Sequence, residues 1–217
     1  MIGARSPVPT STRALARGDS AMAKCGRADV TLVYEHPVTY RLRTATLPDV
    51  PLLRALIARS IRTLGSRDYT AEQIEAALLG AFGLDTSLIH DETYFVALSP
   101  SGEIVGCGGW SKRKTLFGSD TRAGRDDACL DPSSESAKIR AFFVDPDHAR
   151  RGIGRAILEE SEAQAIRAGF KSFELMATFP GRRLYEKFGY VPGTPIEHPL
   201  PGGFKIAFVP MTKKPGG

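Results

Sequence analysis

The segment best suited to chemistry is a glycine turn flanked by arginines, Arg150-Arg151-Gly152-Ile153-Gly154-Arg155. It follows an apolar run that ends in Phe142-Phe143-Val144-Asp145-Pro146, and it opens a helical pattern. Two glycines one residue apart allow a ligand to approach the backbone closely. The first N–H groups of a helix lack partners within the helix and carry partial positive charge. Strand, glycine turn and helix start together predict a phosphate or pyrophosphate site, to which the three arginines add positive charge.

Two common phosphate-binding signatures do not match this turn. The dinucleotide fingerprint requires a third glycine three residues after Gly154, where this chain has Ile157. The nucleoside-triphosphate loop, G-x-x-x-x-G-K-[ST], is absent. Two glycines by themselves fit an ordinary turn equally well, so the ligand class depends on the segments around the turn.

A second segment with chemical potential lies about thirty residues further along, at Leu184-Tyr185-Glu186-Lys187-Phe188-Gly189-Tyr190. A phenol has a pKa of about 10, so Tyr185 is protonated at neutral pH and can act as a proton donor. Tyrosines on short amphipathic helices more often serve packing, and that interpretation stays open beside the catalytic one.

The order of these segments resembles the GNAT superfamily of acetyl-CoA-dependent N-acetyltransferases. A strand, V-x-P, R-R-G-x-G-R, a long amphipathic helix and L-Y-E-K-x-G-[FY] follow one another, and the resemblance extends from Tyr40 to Met211. Ala149 stands at the first position of the family's [QR]-x-x-G-x-[GA] signature. Thr178 and Gly181 replace the asparagine and alanine often found before the tyrosine. We expect the change at Ala149 to matter little, because the family's pyrophosphate contacts come mostly from backbone amides.

The resemblance implies transfer of an acetyl group from acetyl-CoA to a primary amine of a small molecule or peptide, by direct attack. It implies that Tyr185 is the general acid and that the pantetheine arm pairs with the backbone of Phe142 and Val144. A β-bulge there would make room for the thioester, and a backbone amide near Phe143 would face the developing oxyanion. The residues assigned to the coenzyme are Phe142, Val144, Arg150, Arg151, Gly152, Ile153, Gly154 and Arg155. The spacing of the histidines and cysteines indicates no metal site.

The acceptor and the general base are less readable. The family builds its acceptor pocket from segments that correspond here to residues 60–84 and 113–136. Candidate apolar walls are Tyr69, Phe82, Trp110 and Phe117, each of which also suits the core, while Arg140 would suit an anionic acceptor. Candidate bases are Glu103, Asp126, Asp127, Asp131 and Glu135, and a water chain is an alternative. Two other functions stay open: a non-catalytic module that senses acyl-CoA, and a nucleotide-binding transferase.

The length and composition of the chain are typical of a single catalytic domain. The chain has 217 residues, 42% hydrophobic and 24% charged, which suffices for a full core. Its net charge is +5, but residues 1–29 hold five basic and two acidic side chains, so the remainder is only +2. The sequence has no concentration of basic and aromatic residues that would indicate nucleic-acid binding. It also has no apolar run long enough to indicate a membrane span. Three cysteines without metal or disulfide spacing fit a reducing cytoplasm. Formation of a homodimer is left open.

The predicted domain boundaries are a disordered tail at residues 1–37 and a GNAT-like domain at residues 38–214. A transit peptide, or a true start at Met22, are alternatives for the tail. From Tyr40 the patterns predict the order β-α-α-β-β-β-α-β-α-β. The longest helical pattern, at residues 152–168, has its apolar residues within one arc. The predicted fold is α/β: a mixed sheet of about six to seven strands with helices on both faces.

Overall fold

The computed structural model describes residues 40–214. The predicted tail at residues 1–37 lies outside this range. Within it the chain forms five α-helices: α1 Val50–Leu64, α2 Ala71–Leu78, α3 Thr86–His90, α4 Ile153–Arg167 and α5 Phe179–Lys187. It also forms eight strands: β1 Arg41–Thr44, β2 Tyr94–Leu98, β3 Ile104–Ser111, β4 Ala137–Val144, β5 Phe173–Ala177, β6 Val191–Pro192, β7 Ile196–Pro199 and β8 Lys205–Lys213.

The strands form one mixed sheet in the order β1-β2-β3-β4-β5-β8-β6, and β7 pairs with β8. Only β4 and β5 are parallel, and they are joined through α4, whereas the other neighbours are antiparallel. The predicted mixed α/β sheet is confirmed. Three short elements, α3, β6 and β7, were not predicted. They have five, two and four residues, which is too few for a periodic pattern to emerge.

Helices cover both faces of the sheet, as the alternation along β2 shows. Phe95 and Ala97 belong to the hydrophobic cluster that contains the buried side of α4. Tyr94 and Val96 belong to the cluster that contains α1 and α2. Because successive side chains of a strand point to opposite faces, α4 lies on one side of the sheet and α1 with α2 on the other. No helix within residues 40–214 has the length and apolar character needed to cross a membrane.

The start of the first helical segment is held by a carboxylate. Asp49 accepts hydrogen bonds from the backbone N–H of Thr46 at 2.8 Å and from both terminal nitrogens of Arg43 at 2.7 and 2.8 Å. Thr46 and Asp49 therefore form a capping box at the start of this segment. The hydrogen bonds from Arg43, opposed by burial, lower the pKa of Asp49 to about 2.

We expect Asp49→Asn to lower the free energy of unfolding at pH 7 by about 1–2 kcal/mol, since Arg43 is partly exposed and solvent screens the pair. The folded-state pKa is depressed, so the stabilisation is present above the ordinary value of 3.8 and is lost as pH falls toward about 2. Urea unfolding at pH 7 and at pH 2.5 measures this. Asp68→Asn, at an exposed site in the turn after α1, makes the same charge change and should have little effect. An equal loss for both variants at pH 7 would contradict the assignment.

Candidate active site

Strand β4 carries a bulge at its centre. On β3, Cys107 pairs with Phe143 and Gly109 with Arg140, so β4 uses one more residue than β3 between these pairs. The extra residue is accommodated at Ala141, whose φ of 57° lies in the left-handed region. The sequence left open whether β4 has a bulge near Phe142 and Phe143, and the structure shows that it has one.

A buried tyrosine holds this bulge. The hydroxyl of Tyr94 donates a hydrogen bond to the carbonyl of Ala141 at 2.8 Å. Tyr94 is fully buried, and this burial raises its pKa well above the ordinary value, so the hydroxyl remains a donor. The strained residue is thus fixed by a contact between positions 47 residues apart, which no local pattern could have indicated.

Strand β4 separates from its parallel neighbour β5 shortly before the bulge. The two strands pair only at Ala137 with Phe173 and at Lys138 with Glu174, although both strands continue. From Ile139 to Val144, within the described chain, the edge of β4 that faces β5 has no strand partner. The result is a wedge with unpaired backbone groups, and Phe142 and Val144 lie along it. An extended ligand with amide groups can pair with such an edge.

The glycine turn leads from this wedge into α4. Arg150 has a φ of 65° and Gly152 a φ of 86°, so two residues near the helix start adopt the left-handed conformation. Gly152 is the N-cap of α4, and no side chain within the described residues caps the first N–H groups of that helix. Arg150, Arg151 and Arg155 are exposed around them. Free amides and three cations at a helix N-terminus make an anion site.

Not every residue of the turn offers its side chain. Ile153 is 1% exposed and packs in the core, so only its backbone is available to a ligand. A Cβ added to Gly154 would lie 3.2 Å from Leu184, and α4 and α5 therefore approach closely at this point. Arg155 donates to Glu159 at 2.8 Å and lies 5.8 Å from the centre of the Phe188 ring. The glycine turn and the tyrosine helix are thus brought side by side.

One anchor of the turn was missed by sequence reasoning. Arg59 of α1 forms ion pairs with Asp145 and with Asp147, the latter at 2.6 Å. These carboxylates lie between β4 and the glycine turn, 86 and 88 residues from the arginine. The pairs connect the turn to the helix on the opposite face of the sheet.

Tyr185 lies at the inner end of the wedge. It projects from α5, which begins earlier than the predicted Gly181 because Thr178 is its N-cap and accepts from the Gly181 N–H at 3.3 Å. The Tyr185 ring packs edge-on against Phe142 and Tyr190, with centroid distances of 6.1 and 5.7 Å. Burial raises the pKa of Tyr185 above its ordinary value. Within residues 40–214 its hydroxyl has no hydrogen-bond partner, so it stays protonated and free to donate.

The bulge, Tyr185 and the two predicted acceptor segments meet at one cavity of about 80 Å³. It is lined by residues 81–83, which follow α2 after two intervening residues, and by residues 116–118, in the loop between β3 and β4. The phenyl rings in its wall are those of Phe82, Phe117, Phe142, Phe143 and Phe208. Three lining side chains are polar: Arg140, Thr178 and Tyr185.

Two of the four predicted aromatic walls lie elsewhere. Tyr69 packs behind Phe82 at 6.4 Å, and its hydroxyl accepts from the backbone N–H of Phe179. Trp110 packs against Phe170 at 5.6 Å, in the cluster on the α4 side of the sheet. The alternation of side chains along β3 explains the position of Trp110, because its side chain points to the sheet face opposite the cavity.

Arg140 lines the cavity but is committed to protein groups. Its side chain donates to the carbonyls of Thr115 at 3.0 Å and Gly118 at 2.6 Å, and it pairs with Asp85 at 2.8 Å. Burial opposes ionisation of Asp85, yet Arg125 and Arg140 together lower its pKa, so it remains a carboxylate. The prediction that Arg140 meets an anionic acceptor is not supported, because the guanidinium instead holds the loop that carries Phe117.

The candidate bases do not line this cavity, and neither do the cysteines of the described chain. None of the five proposed carboxylates lines it. For example, Glu103 accepts from Ser101 in the β2–β3 turn, and Asp131 accepts from Ser133. Burial raises the pKa of the Cys107 thiol to about 12, which makes it a poor nucleophile at neutral pH. Cys129 is exposed and does not line the cavity either.

Comparison with known proteins shows the family of this chain. The sequence model of the Acetyltransferase (GNAT) family matches residues 59–190, more than half of the chain, and the chain therefore belongs to that family. No curated protein matches the chain at a significant level.

Solved structures show the same fold. A GCN5-related N-acetyltransferase from Rhodopseudomonas palustris has a TM-score of 0.58 at 21% identity, over 80% of this chain and 94% of that one. The PaiA N-acetyltransferase from Thermoplasma acidophilum, in complex with coenzyme A, has a TM-score of 0.52 at 14% identity, over 81% and 98%. A GNAT family acetyltransferase from Brucella melitensis, in complex with acetyl-CoA, has a TM-score of 0.50 at 14% identity, over 82% and 89%.

Proposed function

We propose that this protein is an N-acetyltransferase that moves the acetyl group of acetyl-CoA to a primary amine, by direct attack, with Tyr185 as the general acid. The observation that carries the proposal is the placement of Tyr185. Its hydroxyl is without a partner within the described residues, and its side chain lines the cavity beside the bulge in β4. Membership of the acetyltransferase family supports the class of reaction.

Acetyl-CoA fits the residues present as the co-substrate, and structures of the same fold were solved with coenzyme A and with acetyl-CoA. The uncapped N–H groups at Gly152–Arg155, with the exposed Arg150 and Arg151, suit its pyrophosphate. The unpaired edge of β4, including Phe142 and Val144, suits the amides of its pantetheine arm. When bound, the coenzyme supplies an activated thioester.

The chain's own groups supply the remaining requirements. We assign to a backbone amide at the bulge the stabilisation of negative charge on the thioester carbonyl oxygen, a type of contact worth about 3–4 kcal/mol. Tyr185 donates its proton to the departing thiolate. Since no carboxylate lines the cavity among the residues described, we assign removal of the amine proton to water rather than to a side chain.

We expect acetyl-CoA, at 100 times its Kd, to stabilise the protein by about 2.7 kcal/mol, while NAD and ATP at the same concentration give no comparable shift. Thermal unfolding with each ligand measures this, and release of free thiol with a panel of amines measures turnover. Binding of acetyl-CoA without turnover of any amine would favour the acyl-CoA-sensing module. An equal shift with ATP or NAD would favour a nucleotide-binding transferase.

A further inference from the structure

The acceptor side of the cavity lacks negative charge. Among its described lining residues none is Asp or Glu, and the one charged side chain is the cation Arg140. Asp85, behind Arg140, is fully buried and is shared between Arg140 and Arg125. This carboxylate is therefore already matched, and it offers nothing to an incoming cation.

A further cation lies behind the wall. The guanidinium of Arg122 is 4.3 Å from the centre of the Phe117 ring, and no carboxylate of the described chain lies within 4 Å of it. Burial, followed by the charge of Arg125, lowers the pKa of Arg122. His198 meets the same Phe117 ring edge-on at 5.0 Å, and burial together with Arg122 lowers its pKa, so it is neutral at pH 7. Arg125 and Arg140 pair with Asp85 and Asp127, whereas Arg122 forms no ion pair within residues 40–214.

This arrangement discriminates between amines. A primary amine can lose its proton before it enters and then be seated as a neutral group against phenyl rings. A diamine seated along the same wall loses part of the water around its second ammonium, meets no carboxylate among the described lining residues, and places that ammonium near the Arg122 charge. Burial of an unpaired charge is strongly unfavourable.

We infer that the acceptor is a monoamine with an apolar body, seated against Phe82, Phe117 and Phe208 and carrying no second positive charge. The inference rests on the proposed function, because the amine is the group to be acetylated. It excludes polyamines and lysine-rich peptide segments from the preferred acceptors, which the predicted class of small-molecule or peptide amines had left open.

Pentylamine and 1,5-diaminopentane test the inference, because they differ only by the second amine. We expect kcat/KM to favour pentylamine by about 100-fold at pH 8, since an unpaired charge in the cavity is costly. Binding of each amine to the protein saturated with CoA, measured by calorimetry, should show the same order. Equal values for the two amines, or a preference for the diamine, would overturn the inference.

A substitution that changes the charge of the cavity wall provides a second test. Phe117 is half-buried, so Phe117→Glu places a carboxylate where it meets the second ammonium or neutralises Arg122. Either contact should raise the relative kcat/KM of the diamine by at least about tenfold. In Phe117→Gln the new side chain has the shape of glutamate without its charge. The ratio of kcat/KM for the two amines should therefore stay near that of the unmodified protein. A ratio that moves equally in both variants would count against the inference.

The two proposals fail in different ways. Absence of turnover with every amine, while pentylamine still binds the CoA-loaded protein, would overturn the proposed reaction and leave the acceptor class supported. Turnover that prefers the diamine would overturn the acceptor class and leave the reaction supported. Failure of both amines to bind would overturn the acceptor class.

Discussion

Tyr185→Phe should lower kcat by about 10²–10⁴-fold while it leaves the affinity for acetyl-CoA nearly unchanged. The substitution keeps the ring that packs against Phe142 and Tyr190 and removes only the proton donor. Because the hydroxyl has no partner within residues 40–214, its removal breaks no internal hydrogen bond and should not destabilise the fold. Steady-state turnover at saturating amine, with the Kd for acetyl-CoA, measures the effect.

Tyr190→Phe is the matched control. Tyr190 is also a buried tyrosine, and its ring lies beside that of Tyr185, but it does not line the cavity. The control should retain turnover close to that of the unmodified protein. If Tyr185→Phe turns over as fast as the control, and chemistry is shown to limit the rate, then the thiolate receives its proton from another source.

The pH dependence follows from the same residue. Burial raises the pKa of Tyr185 above the ordinary value of 10, and the active form is the protonated one. Its contribution should therefore be complete at neutral pH and should disappear only as pH rises beyond 10, so a decline in kcat below pH 9 would not come from this group.

Gly152→Val should abolish the stabilisation that acetyl-CoA provides. Gly152 has a φ of 86° at the N-cap of α4, and a β-branched residue there must either strain the backbone or move the first N–H groups of the helix. Both outcomes remove the close approach of backbone to pyrophosphate. The thermal shift at saturating acetyl-CoA, and the Kd, measure the loss.

Gly102→Val is the control for the backbone strain. Gly102, in the turn between β2 and β3, has a φ of 88°, and an added Cβ there would meet no atom within 4 Å. It carries the same backbone cost without lying in the coenzyme turn, so it should lower the melting temperature of the free protein and retain the shift. A full shift in Gly152→Val would remove the glycine turn from the coenzyme site.

Local patterns were enough to predict the long elements and the glycine turn at the start of α4. The apolar stripes of α1 and α4 extend over four turns of helix each, so their period is unambiguous. The turn at Arg150–Arg155 is contiguous, and its ability to hold an anion depends on glycines and a helix start that are neighbours in the chain. The sequence by itself also determined the family, through the order of this turn and the Leu184–Tyr190 segment.

Only the tertiary structure decided the acceptor side. The cavity wall includes residues after α2, residues of the β3–β4 loop and residues of β8. Strand register determines which aromatic side chains point toward the cavity. Arg140 was available in the sequence for an acceptor, yet Asp85, 55 positions earlier, occupies it. The bulge at Ala141 depends on Tyr94 in the same way. Contacts between residues about 50 positions apart leave no local pattern in the sequence. They depend on packing across the sheet and not on the propensities of neighbouring residues.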